Sequence, residues 1–340
     1  MKTLFVITAL YLFSTTAFSQ NADSASYYFQ KGIVERDSRR FALAEKNFSK
    51  SIQFRPDYLD AYIENGKVNL EMRKIYDAQK NFAKAYELQP SNPEVIKQMT
   101  YLYFNNRQFQ KAMEFAQKCA DCPDGARIIG MSYYHTEDYG KAQTYLQKAV
   151  ASNDKDAESV YTLGLTYLEL ENEKGAILQF QKAIDIDPSR NLWIYELGLI
   201  YYNQGNYKDA LKNFNMATDA GYNKTNDFFE NYGFAQIYTG DAENGVKTLT
   251  EVLNRKPNNT ELLNNIANAM YKTKRYDDAL QYFQKLLELN PKDASSLFMA
   301  GMVFQKKGEK EKGQKICDKA IEMDPSLVRN RQKKDIPMGL

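Results

Sequence analysis

The sequence predicts an all-α fold, a solenoid of about nine helix–turn–helix repeats over residues 25–327. Three recurrences carry this prediction. A small residue returns as Gly32, Gly66, Thr100, Gly130, Gly164, Gly198, Gly233, Ala267 and Gly301, at intervals of 34, 34, 30, 34, 34, 35, 34 and 34. A second small residue follows each of them, as Ala44, Ala78, Ala112, Ala142, Ala176, Ala210, Gly245, Ala279 and Gly313. Proline closes six of the units, at Pro56, Pro90, Pro188, Pro257, Pro291 and Pro325. A fixed period of this length marks stacked supersecondary units, each unable to bury its apolar face alone. Length by itself would suggest two or three domains, but a solenoid has no single core to outgrow.

The unit is clearest at Ala157–Arg190. Helix A is expected over about Ala157–Glu169 and helix B over about Lys174–Ile186. Gly164 and Ala176 are small enough to let the two helices approach at one crossing. Tyr167 and Phe180 fill the volume around it, and Ala183 leaves room for the next helix A. Pro188 cannot continue helix B. The run Leu163-Gly164, Tyr167, Ala176, Phe180, Ala183, Pro188 resembles the tetratricopeptide repeat, with Val160 where that pattern has Trp. The resemblance covers nearly all of the chain after its N-terminus and implies a right-handed α-solenoid.

Ahead of the array stand Lys2, an apolar run from Leu4 to Phe13 and a small, polar stretch ending Ala17-Phe18-Ser19. This is the order of a secretory signal peptide, so residues 1–19 are expected to be cleaved after Ser19. The apolar run is shorter than the roughly 20 residues that span a bilayer, so no membrane insertion is expected after cleavage. The expected location is periplasmic or secreted. Residues 20–24 form a lead-in, with Asp23 or Ser24 as the expected N-cap of the first helix. The chain has 45 basic and 43 acidic residues. That near balance argues against a nucleic-acid partner, which calls for a marked basic excess.

Repeats one to three fill residues 25–122 and repeats four to nine residues 123–327. The interval of 30 between Thr100 and Gly130 removes about one turn, or 3.6 residues, from helix B of repeat three. Two outcomes are compatible with it: ordinary stacking across a deletion, or a hinge between two sub-arrays. The tail, 328–340, is basic at Arg329, Arg331, Lys333 and Lys334 and could serve as a polar end cap.

Little in the chain could carry catalysis. His135 is the only histidine, and it has no cysteine or carboxylate at metal-ligand spacing. No G-x-S-x-G elbow and no glycine-rich phosphate loop occur. No enzyme activity, metal or cofactor is therefore expected. Cys119 and Cys122 form a C-x-x-C pair at the short interval. Three readings stand: a structural disulfide, two buried thiols, or a redox-active pair, the last without the βαβ context such motifs favour. Cys317 takes the Phe180-type position in the last repeat and reads as a small buried hydrophobe.

In the family this chain resembles, the A helices line a concave surface that binds peptides or protein segments. The resemblance carries that role to Tyr101 and Phe104 in repeat three, Arg127 and Tyr134 in repeat four, and Tyr161 in repeat five. Tyr195 and Tyr202 follow in repeat six, Phe234 in repeat seven, and Asn268 and Tyr271 in repeat eight. Asn231 and Asn265 occupy the sixth repeat position, where some family members hold a peptide backbone with an asparagine ladder. The resemblance implies a non-catalytic scaffold for a protein or peptide partner in the cell envelope. The alternative is an envelope protein that stacks glycan or peptidoglycan on the same tyrosines. Whether these rings line a surface or pack between neighbouring A helices is left open by the sequence.

Overall fold

The structure is a computed structural model that describes residues 22–119 and 122–328. The expected signal peptide and the charged part of the tail lie outside the described residues. Helices alternate as A and B members of successive pairs. They are α1 (22–37), α2 (Phe41–Phe54), α3 (Leu59–Glu71), α4 (Ile75–Leu88), α5 (Pro93–Asn105), α6 (Phe109–Lys118), α7 (Gly125–His135), α8 (Tyr139–Ser152) and α9 (Ala157–Glu169). There follow α10 (Glu173–Ile186), α11 (Asn191–Asn203), α12 (Tyr207–Asp219), α13 (Asn226–Tyr238), α14 (Ala242–Arg255), α15 (Thr260–Lys272), α16 (Tyr276–Leu289), α17 (Ala294–Lys306) and α18 (Lys310–Met323). No strand occurs among the described residues. Two compact units divide inside α10, one ending at Ala176 and the other starting at Ile177. The first helix already includes Asp23 and Ser24, so neither is its N-cap as the sequence suggested.

The recurring small residues are where the helices meet. Ala44, Ala78, Ala112, Ala142, Ala176, Ala210 and Ala279 are all fully buried. A Cβ on Gly32 would come within 2.6 Å of the Phe48 ring, and one on Gly66 or Gly198 within 2.7 Å of Phe82 or Phe214. Real Cβ atoms do not approach so closely, so each glycine is the socket for one large side chain of its partner helix. Burying each phenylalanine contributes roughly 1.5–3 kcal/mol. Repeat three redistributes the volume: Thr100 takes the glycine position, Ala116 takes the phenylalanine position, and both are buried.

The short interval appears as a ten-residue α6 where α4 and α8 have fourteen, and an eleven-residue α7 where α5 has thirteen. The core continues across it, with Ala112, Met113, Phe115 and Ala116 in one buried cluster with Ile128 and Ile129. A Cys119–Cys122 disulfide, with Cα atoms 5.4 Å apart, ties the end of α6 to the turn before α7.

Every A-to-B turn has one construction. The residue after the A helix's C-cap takes positive φ: Arg39, Arg73, Arg107, Glu137, Glu171, Gly205, Gly240, Lys274 and Gly308. The next N–H then reaches back to a carbonyl in the helix, as from Lys74 to Asn69 at 2.8 Å and from Asn172 to Tyr167 at 2.8 Å. This is the helix-ending motif that favours glycine at the left-handed residue. The following residue often opens helix B by accepting a backbone N–H, as Asp138, Asn206 and Asp241 do. The last described turn, Pro325–Leu327, folds Leu327 onto Phe298, Cys317 and Ala320.

Candidate functional site on the A-helix face

In the first unit the A-helix face is laced by polar bridges between neighbouring repeats. Arg36 on α1 pairs with Glu64 on α3, and Lys67 on α3 reaches Glu94 on α5 at 2.8 Å. The Tyr101 hydroxyl on α5 donates to Asp124, just before α7, at 2.6 Å. Arg127 on α7 holds Asp156 at 3.1 Å and Glu158 at 2.6 Å across the next joint. Burial, followed by the hydrogen bond to Asp124, pushes the Tyr101 pKa up to about 12. A cavity of about 530 Å³ opens beside the start of this ladder, lined by Arg36, Asp37, Phe41, Glu64 and Lys67 among others. Tyr101 and Arg127 are thus committed to neighbouring carboxylates. Tyr161 is half-buried on α9.

An aromatic ledge runs beside the bridges. Phe104 meets Phe109 edge-on at 6.1 Å, Phe109 stacks on His135 at 4.6 Å, and Tyr134 packs on Tyr139 at 5.9 Å. Burial against these rings, then the nearby Arg107 charge, holds the His135 pKa below the usual histidine value.

The second unit repeats the ledge. Tyr202 meets Tyr207 at 5.4 Å, Tyr207 stacks on Tyr238 at 4.5 Å, and Tyr271 packs against Tyr276 at 6.0 Å. Burial raises the hydroxyl pKa of Tyr202, and that of Tyr238 to about 12. Here the polar surroundings are different. Glu230 is half-buried beside Asp227 and Glu261, and burial followed by those two charges raises its pKa. Among the described residues none of the three carboxylates has a salt-bridge partner. Asn265 is exposed and Asn268 half-buried on α15.

Two of the expected groove residues are packing residues. Tyr195 is 6 % exposed, lying against Phe214, Phe228 and Tyr222, which stacks on it at 4.4 Å. Phe234 is 8 % exposed within the core of its unit. Asn231 spends its amide on the Tyr195 hydroxyl at 3.2 Å, so it joins two repeats and does not stand open as a ladder rung. Sequence reasoning missed the aromatic first residue of four B helices. Phe109, Tyr139, Tyr207 and Tyr276 lie five residues after Phe104, Tyr134, Tyr202 and Tyr271, and that spacing was the available signal.

Among the described residues no helix is long and apolar enough to cross a membrane. Profiles of the tetratricopeptide repeat match residues 129–191, 260–293 and 294–327. With the paired helices and their buried small-residue crossings, these matches show that the chain carries tetratricopeptide repeats.

A sequence comparison with the curated proteins gives no match. Among solved structures, the C-terminal part of a TPR repeat-containing protein from Cytophaga hutchinsonii is 20% identical, covering 70% of this chain and 98% of its own, with a TM-score of 0.49. YrrB, described as a TPR protein with an unusual peptide-binding site, is 22% identical over 51% of this chain and 92% of its own, with a TM-score of 0.44. The TPR domain of P58(IPK) is 14% identical over 91% of this chain and 99% of its own, with a TM-score of 0.30.

Proposed function

We propose that the protein is a non-catalytic scaffold of the cell envelope that holds a peptide or protein segment on the A-helix face of its second unit. Tetratricopeptide repeats serve as binding surfaces, and this face has the composition of one. The observation that carries the reading is the half-buried Tyr202–Tyr207–Tyr238 set standing next to Glu230. Tyrosines offer apolar area with a polar handle. A carboxylate held among other carboxylates is relieved by an incoming cation. A segment with lysine or arginine beside apolar side chains fits both features. The envelope setting rests on the signal-like order of residues 1–19.

The test is crosslinked capture of partners from an envelope fraction, comparing the unaltered protein with Tyr271→Ala and Tyr202→Ala/Tyr271→Ala. Circular dichroism serves as the folding control. Retained helicity with reduced capture is the expected result, and undiminished capture overturns the reading. Retention on insoluble peptidoglycan, lost in the same variants, would point to the glycan alternative.

A further inference from the structure

The left-handed turn residues of the first unit form a charge pattern that is complementary to itself. One such residue projects from the same turn of each of the first five repeats: Arg39, Arg73, Arg107, Glu137 and Glu171, with φ between 56° and 62°. All five are exposed, and among the described residues none makes an ion pair. Neighbouring charges behave differently, since Arg40 pairs with Glu35 and Lys74 with Glu45. The edge of the unit thus shows a row of open cations followed by a row of open anions, one per repeat.

Two such rows set antiparallel bring opposite signs together. A twofold axis at the joint between repeats three and four sets repeat two of one copy against repeat five of the other, and repeat three against repeat four. Arg73 then faces Glu171 of the partner subunit, Arg107 faces Glu137 of the partner subunit, and symmetry supplies each pair twice. An independent observation fits this register. Large apolar side chains stand exposed beside the turns of repeats two and five: Ile75 at 38 %, Tyr76 at 79 % and Leu170 at 40 %. Repeats two and five are one of the two pairs that the axis brings face to face. The arrangement covers apolar surface at its ends and pairs charge along its length.

We infer that the A-to-B turn edge of the first unit is a self-association surface, joining two copies of this chain antiparallel through Arg73, Arg107, Glu137 and Glu171. Exposed pairs of this kind are screened by salt, so the association is strongest at low ionic strength.

Charge reversal is an unusually clean test here. Glutamate and arginine both already occupy this turn conformation in the chain, so neither swap introduces a new backbone demand. Sedimentation velocity is measured on the full chain and on Arg73→Glu, Glu171→Arg and Arg73→Glu/Glu171→Arg. The runs compare about 50 mM with about 500 mM salt. The unaltered protein is expected to sediment as a dimer at low salt and to dissociate at high salt. Each single reversal places like charges opposite each other twice and should weaken the dimer about tenfold or more. The double reversal should restore it, because both exchanged residues meet across the axis. Lys274→Glu, at the equivalent turn of repeat eight, should leave the association unchanged. A monomer at low salt up to about 100 μM would overturn the inference, as would a double variant no tighter than the singles, or a Lys274→Glu effect equal to theirs. Circular dichroism separates any of these from misfolding.

Discussion

Gly66 sits against the ring of Phe82 so closely that a Cβ there would lie 2.7 Å from ring carbons. The pair is one volume shared between two helices, and repeat three shares the equivalent volume the other way, as Thr100 and Ala116. Gly66→Thr is expected to lower stability by about 3 kcal/mol through overpacking. Adding Phe82→Ala should recover part of that loss instead of adding the several kcal/mol that this truncation costs alone. Urea unfolding of the two single variants and the double measures the coupling. Additive losses would mean the two positions do not share space.

Burial of Tyr101, together with its bridge to Asp124, makes stability depend on alkaline pH. The Tyr101 hydroxyl is held up to about 12 against its ordinary 10, so its protonated form favours the folded state. That contribution is complete below about pH 10 and is lost as pH rises through about 12. Tyr101→Phe should therefore show a shallower fall in melting temperature across this window than the unaltered protein. Parallel curves would remove Tyr101 as the cause.

Cys119 and Cys122 close a short loop where α6 gives out early. Reduction, or Cys122→Ser, should cost about 2 kcal/mol of the first unit's stability, on the chain-entropy estimate for so small a ring. Differential scanning calorimetry with and without reductant measures the change, and Cys122→Ser should be insensitive to reductant.

The positive-φ turns are not equally tolerant. Arg73 and Glu171 have φ of 57° and 56°, within the left-handed region an L-residue can enter, while Gly240 has φ of 99°. Gly240→Ala should cost about 1–2 kcal/mol. Arg73→Gly should change stability by less than about 1 kcal/mol, because relief of strain is offset by a freer unfolded chain. Thermal melts of the two variants give the comparison.

Much of the fold was legible because packing in a repeat array is local. Helix A of the fifth repeat falls at Ala157–Glu169 as expected, and the lost turn of the third repeat is visible as a shortened α6. The candidate face was harder to read. Position within a repeat tells which way a side chain leaves the helix, but not whether something covers it. Tyr195 is covered by Tyr222, which belongs to the connection between α12 and α13. The interval of 35 at that point marks the longer connection. Ion pairing is equally invisible to a position rule: two carboxylates of the following repeat already hold Arg127.

Cys317 fills the last repeat's socket, with its sulfur where a Cβ on Gly301 would come within 2.6 Å. A thiol there leaves α17 and α18 with less to bury than a phenylalanine would provide, and it is 1 % exposed in the closed state. The chain thus carries its own chemical clock for the opening of that helix pair. The rate at which a thiol reagent labels Cys317 should report how often α17 and α18 part, before the rest of the second unit opens.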